Sequence, residues 1–118
     1  MAFNHCSALT SVVLPSNIAS ISNRAFTDCT SLTSVTIPSS VTSIGDGSFY
    51  GCSKLTDTSG PDNSCGFNFL GTVDQWKKVE RGNLWREGTN ATKIQCIDDQ
   101  CGLDDTNITY LYLANKEY

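Results

Sequence analysis

The sequence predicts an α/β repeat fold: a short solenoid of parallel strands and helical turns, with a mixed α/β C-terminal cap. Three observations predict it. The 118-residue chain repeats itself every 23 residues from Ala2 onward, and the repeats carry apolar residues at matching positions. The match fades after Leu55, and a segment with its own helix and strand signals follows. Self-similarity at such a period is typical of repeat architectures.

The repeat appears when residues 25–47, AFTDCTSLTSVTIPSSVTSIGDG, are superposed on residues 2–24, AFNHCSALTSVVLPSNIASISNR. A third frame starts in step and is only partial, so we expect two full repeats and one partial repeat over residues 2–61. Three columns of identical residues form a predicted structural ladder. Its members are Phe3, Phe26 and Phe49, then Cys6, Cys29 and Cys52, and finally Leu9, Leu32 and Leu55.

Each repeat combines two periodicities. Phe26, Cys29 and Leu32 are three residues apart, which places them on one face of a short helical turn. Val35 and Ile37 alternate with polar residues, as in a half-buried strand. One repeat cannot bury its own apolar edge, whereas repeats stacked at about 4.8 Å bury one another and pair their strands in parallel. The period therefore corresponds to one lap of a solenoid.

Residues 62–118 are predicted to cap the open end of the solenoid, where an uncovered sheet edge would meet water. Thr72 and Gln75 match a capping box, in which each side chain satisfies the other residue's backbone N–H at a helix start. Strand-forming residues follow and recur in the tail. The predicted elements are a helix at about 72–80, a strand at about 92–97 and a tail strand at about 107–113.

The pattern A-F-x-x-C-x-x-L-x-x-V-x-I-P-x-x-V-x-x-I-G runs from residue 2 to about residue 56. In this form the sequence resembles the BspA-like leucine-rich repeats of surface proteins. The later segment GTVDQWKKVERGNLW, followed by TKIQCID, resembles a terminal segment of the same family, which points to a C-terminal portion. The resemblance implies a leucine-rich-repeat solenoid on the cell surface or secreted. The ligand does not carry over, because the matching positions are core positions.

Composition disfavours two classes of partner. The formal net charge is −4, so nucleic acid phosphates and anionic membranes would repel the chain. No apolar run approaches the roughly 20 residues that span a bilayer. We therefore expect no nucleic acid partner and no direct membrane insertion.

The titratable residues do not match a catalytic or metal site. His5 is the single histidine and lies in a predicted turn, so we expect a surface residue rather than a catalytic base. Asp98, Asp99, Asp104 and Asp105 lack the alternating oxygen ligands of a calcium loop. We accordingly expect neither enzymatic activity nor a cofactor or metal.

The cysteines fall into two groups. The three in the ladder are expected to act as small buried apolar residues. Cys65, Cys96 and Cys101 lie in the cap, where either one disulfide or free thiols would fit the sequence, depending on the compartment. Zinc is disfavoured, because these three offer neither a fourth ligand nor closely spaced pairs.

Two further features of the cap each allow two interpretations. Trp76 and Trp85 could stack on a sugar, but Trp76 shares a helix face with apolar residues, which favours a core role. Asn90 and Asn107 begin glycosylation sequons, and about two such sequons arise by chance in a chain so rich in Asn, Ser and Thr.

The solvent side of the strands is the candidate binding surface. Ser11, Val13, Ser34 and Thr36 are predicted to point away from the core, forming a flat, hydroxyl-rich and nearly uncharged patch. Such a surface suits a protein or glycan ligand and predicts a non-enzymatic adhesion or binding module. The alternative is a purely structural C-terminal cap of a longer solenoid, with binding located upstream. An unpaired edge in the first coil favours a homodimer.

Overall fold

A computed structural model describes residues 5–60 and 63–103, which form eight short strands and one helix. Five strands form one sheet in the order β1-β3-β5-β7-β8, and three form a second sheet in the order β2-β4-β6. No helix in the described ranges is long and apolar enough to cross a membrane. The elements are β1 (Ser11–Val13), β2 (Ser20–Ile21), β3 (Ser34–Ile37), β4 (Ser43–Ile44), β5 (Phe67–Phe69), α1 (Val73–Lys77), β6 (Glu80–Arg81), β7 (Lys93–Gln95) and β8 (Gln100–Gly102).

Each of the first three laps of the chain adds one strand to each sheet, and the fourth adds β7 to the larger sheet; we call each lap a layer. Layer 1 holds β1 and β2, layer 2 holds β3 and β4, layer 3 holds β5 and β6, and layer 4 holds β7. The first two layers pair in parallel in the 23-residue register that the repeat predicts: Val12 lies beside Val35 and Ile21 beside Ile44. Among the described strands, only β8, which closes on β7, is antiparallel.

The segments predicted as helical turns are hydrogen-bonded turns rather than α-helices. The Cys29 N–H donates to the Phe26 carbonyl at 3.2 Å, and the Leu32 N–H donates to the Cys29 carbonyl at 3.1 Å. These bonds span three residues, so the three-residue spacing produces a tighter turn than that of an α-helix. The turns of successive layers also bond to each other, as in the donation from the Phe49 N–H to the Trp85 carbonyl at 2.7 Å.

The parallel sheet does not stop where the repeat pattern fades. Val35 pairs with Phe67, 32 positions later, and Phe67 pairs with Ile94. In the 23-residue frame Thr58 would take the strand column, but it lies in the loop that precedes β5. The sheet thus crosses the predicted division after residue 61, and that division stays a prediction.

The predicted helix at 72–80 is the shorter α1. The capping box is present: Thr72 Oγ1 accepts from the Gln75 N–H at 3.2 Å, and Gln75 Oε1 accepts from the Thr72 N–H at 2.8 Å. The predicted helix instead ends in a turn at Lys78 and Val79, and Glu80 begins β6, which pairs with β4. The strand expected at 92–97 is represented by β7. The tail strand expected at 107–113 lies outside the described residues.

The interior of the regular layers is built from the repeated columns. The Phe26 and Phe49 rings stack with centroids 5.3 Å apart and planes within 5°. Phe3 lies outside the described residues. The other ladder residues of layers 2 and 3 are fully buried, and those of layer 1 are partly buried. The buried ones are Cys29, Cys52, Leu32 and Leu55, and the partly buried ones are Cys6 and Leu9.

Layers 3 and 4 fill the interior with larger rings. Trp85 is fully buried and contacts Phe49, Phe67 and Trp76, with ring centroids 6.3, 5.3 and 5.8 Å away. Trp76 also packs on Phe69 at 5.4 Å. These aromatic contacts join the helix-bearing part of the chain to the regular layers in one core.

Polar side chains at equivalent positions connect successive turns along one edge of the structure. The Asp46 N–H donates to Asn23 Oδ1 at 2.9 Å, and the Asn83 N–H donates to Asp46 Oδ1 at 2.8 Å. The layers approach closely beside these side chains. A Cβ on Gly45 would lie 2.5 Å from the Asn23 backbone nitrogen and 2.7 Å from the Ser22 carbonyl carbon. Only glycine fits that approach.

Candidate functional site

Side chains on the solvent side of the larger sheet form the outer strand face. Strand residues alternate between the two faces of a sheet, so each strand contributes its polar positions to this side. The register aligns Val13, Thr36, Asn68 and Gln95 in one row, and Gln100 pairs beside Gln95. The full set is Ser11, Val13, Ser34, Thr36, Asn68, Lys93, Gln95 and Gln100.

The structure places all four residues of the predicted patch on this face. Ser11 and Val13 are exposed, Val13 to 75%, whereas Ser34 and Thr36 are half-buried. They supply hydroxyls in layers 1 and 2, beside the exposed isopropyl group of Val13. The patch is therefore one end of a face that continues across layers 3 and 4.

The added part of the face is rich in amides. Asn68 Nδ2 donates to the Cys65 carbonyl at 2.9 Å, and Gln95 Nε2 donates to the Cys96 carbonyl at 2.8 Å. These bonds hold the two side chains in fixed orientations. Lys93 is the charged member of the set, so the face remains nearly uncharged.

Exposed aliphatic side chains border the polar row where the strands end. Leu70 follows β5 and is 52% exposed, and Ile97 follows the strand beside it and is 67% exposed. Their backbones are held in place: the Leu70 N–H donates to the Ile37 carbonyl at 2.8 Å, and the Ile97 N–H donates to the Gly71 carbonyl at 3.0 Å. The outer strand face thus offers hydrogen-bonding groups beside apolar ones.

Sequence reasoning missed Asn68, Gln95, Leu70 and Ile97. They belong to layers that lack the 23-residue spacing, so superposing the repeats does not reveal them. The alternation in Phe-Asn-Phe at β5, with Asn68 between two buried rings, was a local signal for the outward position.

A second concave surface, the turn groove, lies along the stacked turns. Its volume is about 700 Å³. The side chains that give it chemical character are Arg24, Asp28, Asp46, Tyr50 and Leu84, together with His5. They come from the turns of all four layers. The groove therefore depends on the stacking of the layers rather than on one loop.

His5 is a surface residue in the structure, as expected, but it has a partner that sequence reasoning missed. Its Nδ1 lies 3.4 Å from Asp28 Oδ2, and the two side chains are 64% and 44% exposed. Asp28 is one repeat period after His5, so the 23-residue register could have identified this pair.

None of the six cysteines forms a disulfide bond in the structure. Burial raises the pKa of Cys52 to about 12 and that of Cys96 to about 11. Burial likewise raises the pKa values of Cys29 and Cys65. These four side chains are therefore protonated at neutral pH, and a protonated thiol is a poor nucleophile and a poor metal ligand.

Two of the four aspartates that were considered as calcium ligands have structural contacts. Asp98 Oδ1 accepts from the Val73 N–H at 2.9 Å, at the start of α1, and Asp99 Oδ1 accepts from the Gln100 N–H at 2.8 Å. Asp104 and Asp105 lie outside the described residues. Within residues 5–60 and 63–103, no three His, Cys, Asp or Glu side chains gather as a metal site would require.

The tryptophans lie in the core, and the first sequon lies at the surface. Trp76 and Trp85 are both 0% exposed, so neither ring offers a surface for stacking a sugar. Asn90 is exposed, and its Nδ2 donates to the Ser53 carbonyl at 2.8 Å. Asn107 lies outside the described residues.

Residues 1–68 match a family model described as "BspA type Leucine rich repeat region (6 copies)". The chain belongs to this family. Membership implies a repeat solenoid, and the parallel strands with little helix agree with that implication. No curated protein and no solved structure matches the chain.

Proposed function

We propose that this BspA-type chain is a non-enzymatic binding module of a cell-surface or secreted protein, and that its outer strand face holds a protein ligand. One observation carries the proposal: the row from Val13 through Thr36 and Asn68 to Gln95 runs across all four layers. Extended faces of this kind are the surfaces that repeat proteins use for binding.

The chemistry of the face favours a protein over a glycan. Hydroxyl and amide side chains can hydrogen-bond to a polypeptide backbone, and exposed Val13, Leu70 and Ile97 can pack against apolar side chains. Sugar rings usually need an exposed aromatic ring, and neither tryptophan offers one. The described strands contribute no aromatic or arginine anchor to the face, so we expect weak affinity for a single module.

Two observations support a role without catalysis. The buried thiols are held protonated, and His5 faces Asp28 on an exposed edge instead of lying beside a nucleophile in a dry pocket. The proposed location rests on family membership alone, because relatives of this type are surface proteins.

The test places charge on the outer strand face. In the variant Ser34→Arg/Thr36→Arg, two bulky cations replace hydroxyls at the centre of the row. The matched control is Thr30→Arg/Ser39→Arg, which adds the same charges at positions off the strands. Binding of each protein to purified laminin and collagen is measured by biolayer interferometry.

We expect the face variant to bind about 10-fold more weakly than wild type, a loss of roughly 1.4 kcal/mol, and the control to bind as wild type does. Equal binding by the face variant and wild type would contradict the proposal. If a soluble glycan abolishes binding and the face substitutions do not, the ligand is a glycan and not a protein.

A specific observation also favours a structural role. The antiparallel strand β8 covers β7, and Leu103 behind it is fully buried. The Leu103 carbonyl accepts from Arg86 Nη2, which ties this end to the last turn. Such an arrangement would protect the end of a longer solenoid.

Tandem copies of residues 25–47, with and without residues 48–103 appended, test the structural role. A protective cap should raise the urea midpoint of the array. An unchanged midpoint would eliminate this role.

A further inference from the structure

The turn groove has a regular backbone geometry of its own, which plays no part in forming the outer strand face. Its walls repeat a left-handed backbone conformation from layer to layer: φ is 61° at His5 and 57° at Asp28, then 58° at Arg24 and 57° at Leu84. Non-glycine residues adopt this conformation infrequently. The interlayer hydrogen bonds hold it in place, because the Arg24 N–H donates to the Asp46 carbonyl at 2.9 Å.

An exposed aromatic ring stands in this groove. Tyr50 is 43% exposed, in contrast to the buried aromatic rings of the core, and exposed Leu84 lies on the same surface. Gly47 separates Tyr50 from Arg24. A Cβ at Gly47 would lie in ordinary contact, 3.6 Å from Arg24 Cγ and 3.8 Å from Tyr50 Cβ, and the φ of 61° is the feature that favours glycine there.

The polar groups around Tyr50 have mixed character. Arg24 and the Tyr50 hydroxyl can donate hydrogen bonds, and the carboxylates of Asp28 and Asp46 can accept them. Asp46 Oδ1 accepts from the Asn83 N–H, and Asp28 Oδ2 faces His5. The other oxygen of each carboxylate can accept a hydrogen bond from a ligand. The two carboxylates would repel an anionic ligand. Arg24 balances one of them and would repel a cation that approaches it, so only a small net negative charge remains. The lining therefore favours a neutral ligand that both donates and accepts.

We infer that the turn groove binds a neutral saccharide. One sugar ring lies with its C–H face on Tyr50, and its hydroxyls bond to Arg24, Asp28 and Asp46. A volume of about 700 Å³ lies within the range of small-molecule sites and accommodates one or two sugar rings. This site is separate from the outer strand face, so its test is independent of the protein-binding proposal.

The experiment is a nuclear magnetic resonance titration of the protein with lactose, maltose and cellobiose. The reporters are the backbone amides of Thr27, Gly47 and Leu84, which line the groove. Glucose 6-phosphate and glucosamine, compared with glucose, test the preference for a neutral ring. We expect saturable shifts at the reporters with at least one neutral disaccharide, at a Kd on the order of 1 mM.

Two substitutions at one position separate the ring from the hydroxyl. Tyr50→Ala should weaken binding by about 10-fold or more because it removes the stacking surface. Tyr50→Phe keeps the ring and should bind within about 3-fold of wild type. The amide spectrum of each variant shows whether it is folded, and Arg24→Gln provides a second variant that leaves the core untouched. The face variant Ser34→Arg/Thr36→Arg should bind the sugar as wild type does.

Three outcomes would overturn the inference. One is the absence of saturable shifts at the three reporters with every neutral disaccharide. Another is undiminished binding by folded Tyr50→Ala together with undiminished binding by Arg24→Gln. The third is tighter binding of either charged sugar than of glucose.

Discussion

The first two layers and the last two layers differ in their side chains. Both nevertheless continue the same parallel pairing of strands. In the first pair, Val12 lies beside Val35 because like residues recur every 23 positions. Where layer 3 stacks on layer 2, Ile44 lies beside Arg81, 37 positions later, although the two residues are unlike. The interlayer hydrogen bonds nevertheless continue through the turns, as in the donation from Gly47 N–H to the Asn83 carbonyl at 2.9 Å.

The difference shows which feature of the repeat is essential. A layer must present backbone donors and acceptors in register and must fill the interior, but it need not do so with the same residues or the same length. Layer 3 accommodates a longer loop and α1, and the interior there is filled by Trp76 of α1 and by Trp85 of the following turn. Large rings thus replace regular columns where the chain spacing becomes irregular.

Truncation of Trp85 should have the largest effect. Its ring contacts three other aromatic rings and is fully buried, so Trp85→Ala should lower the free energy of unfolding by about 3–5 kcal/mol. In layer 1, Val12→Ala removes half-buried methyl groups and should cost only about 1 kcal/mol. Urea denaturation measures both. Equal costs would mean that the aromatic cluster is not the main stabilising part of the later layers.

Gly45 tests the close approach between layers. Gly45→Ala puts a methyl group within 3 Å of backbone atoms in the preceding turn, which cannot move aside as a flexible side chain would. We expect a loss of about 1–3 kcal/mol of stability. Ser22→Ala is the matched control, because Ser22 occupies the same column one period earlier and is exposed. If the control is as destabilising as Gly45→Ala, interlayer crowding is not the cause.

Asp57 links the irregular loop of layer 3 to layer 4. Its Oδ1 accepts from the Thr92 N–H at 2.8 Å and the Lys93 N–H at 2.9 Å, and its Oδ2 accepts from the Thr92 hydroxyl. Partial burial opposes ionisation, but these donors outweigh it and lower the pKa of the carboxyl below its ordinary value of 3.8. The ionised form is therefore favoured more strongly in the folded protein than in the unfolded chain.

The sign of the pH dependence follows. As pH falls, the unfolded chain takes up the proton first, so the contribution of Asp57 is present above its unfolded pKa and is lost below it. Asp57→Asn should cost about 0.5–1 kcal/mol at pH 7, allowing for solvent screening. The difference between wild type and variant should shrink as pH falls below about 4. A difference independent of pH between 7 and 3 would contradict the role of the carboxylate charge.

The substitution of Asp46 by Asn should give the smallest effect, because both regions use only a side-chain oxygen at this position of the turn. Asn23 supplies an amide oxygen to the turn that follows β4, and Asp46 supplies a carboxylate oxygen to Asn83 in the turn that follows β6. Asp46→Asn preserves an acceptor and should change stability by less than about 0.5 kcal/mol. Asp46→Ala removes it and should cost about 1 kcal/mol by thermal unfolding. A large effect of the Asn variant would show that the charge, not the acceptor, matters.

The spacing of the repeat by itself determined a large part of the structure. A period of 23 residues places Val12 beside Val35 and His5 beside Asp28, because residues one lap apart must lie adjacent when layers stack. The two-residue alternation within the strand separately predicted that Ser34 and Thr36 lie on the solvent side of the sheet. Periodic information is enough wherever neighbouring layers have equal length.

Only the tertiary structure decided the rest. The pairing of Phe67 with Val35, the closing strand β8, and the alignment of Asn68 and Gln95 depend on how far the chain travels between layers, which no local pattern records. The turn groove likewise exists because turns from distant parts of the chain lie side by side. Backbone hydrogen bonds tolerate loops of any length between the strands they join, so sequence separation ceases to predict proximity once a layer is enlarged.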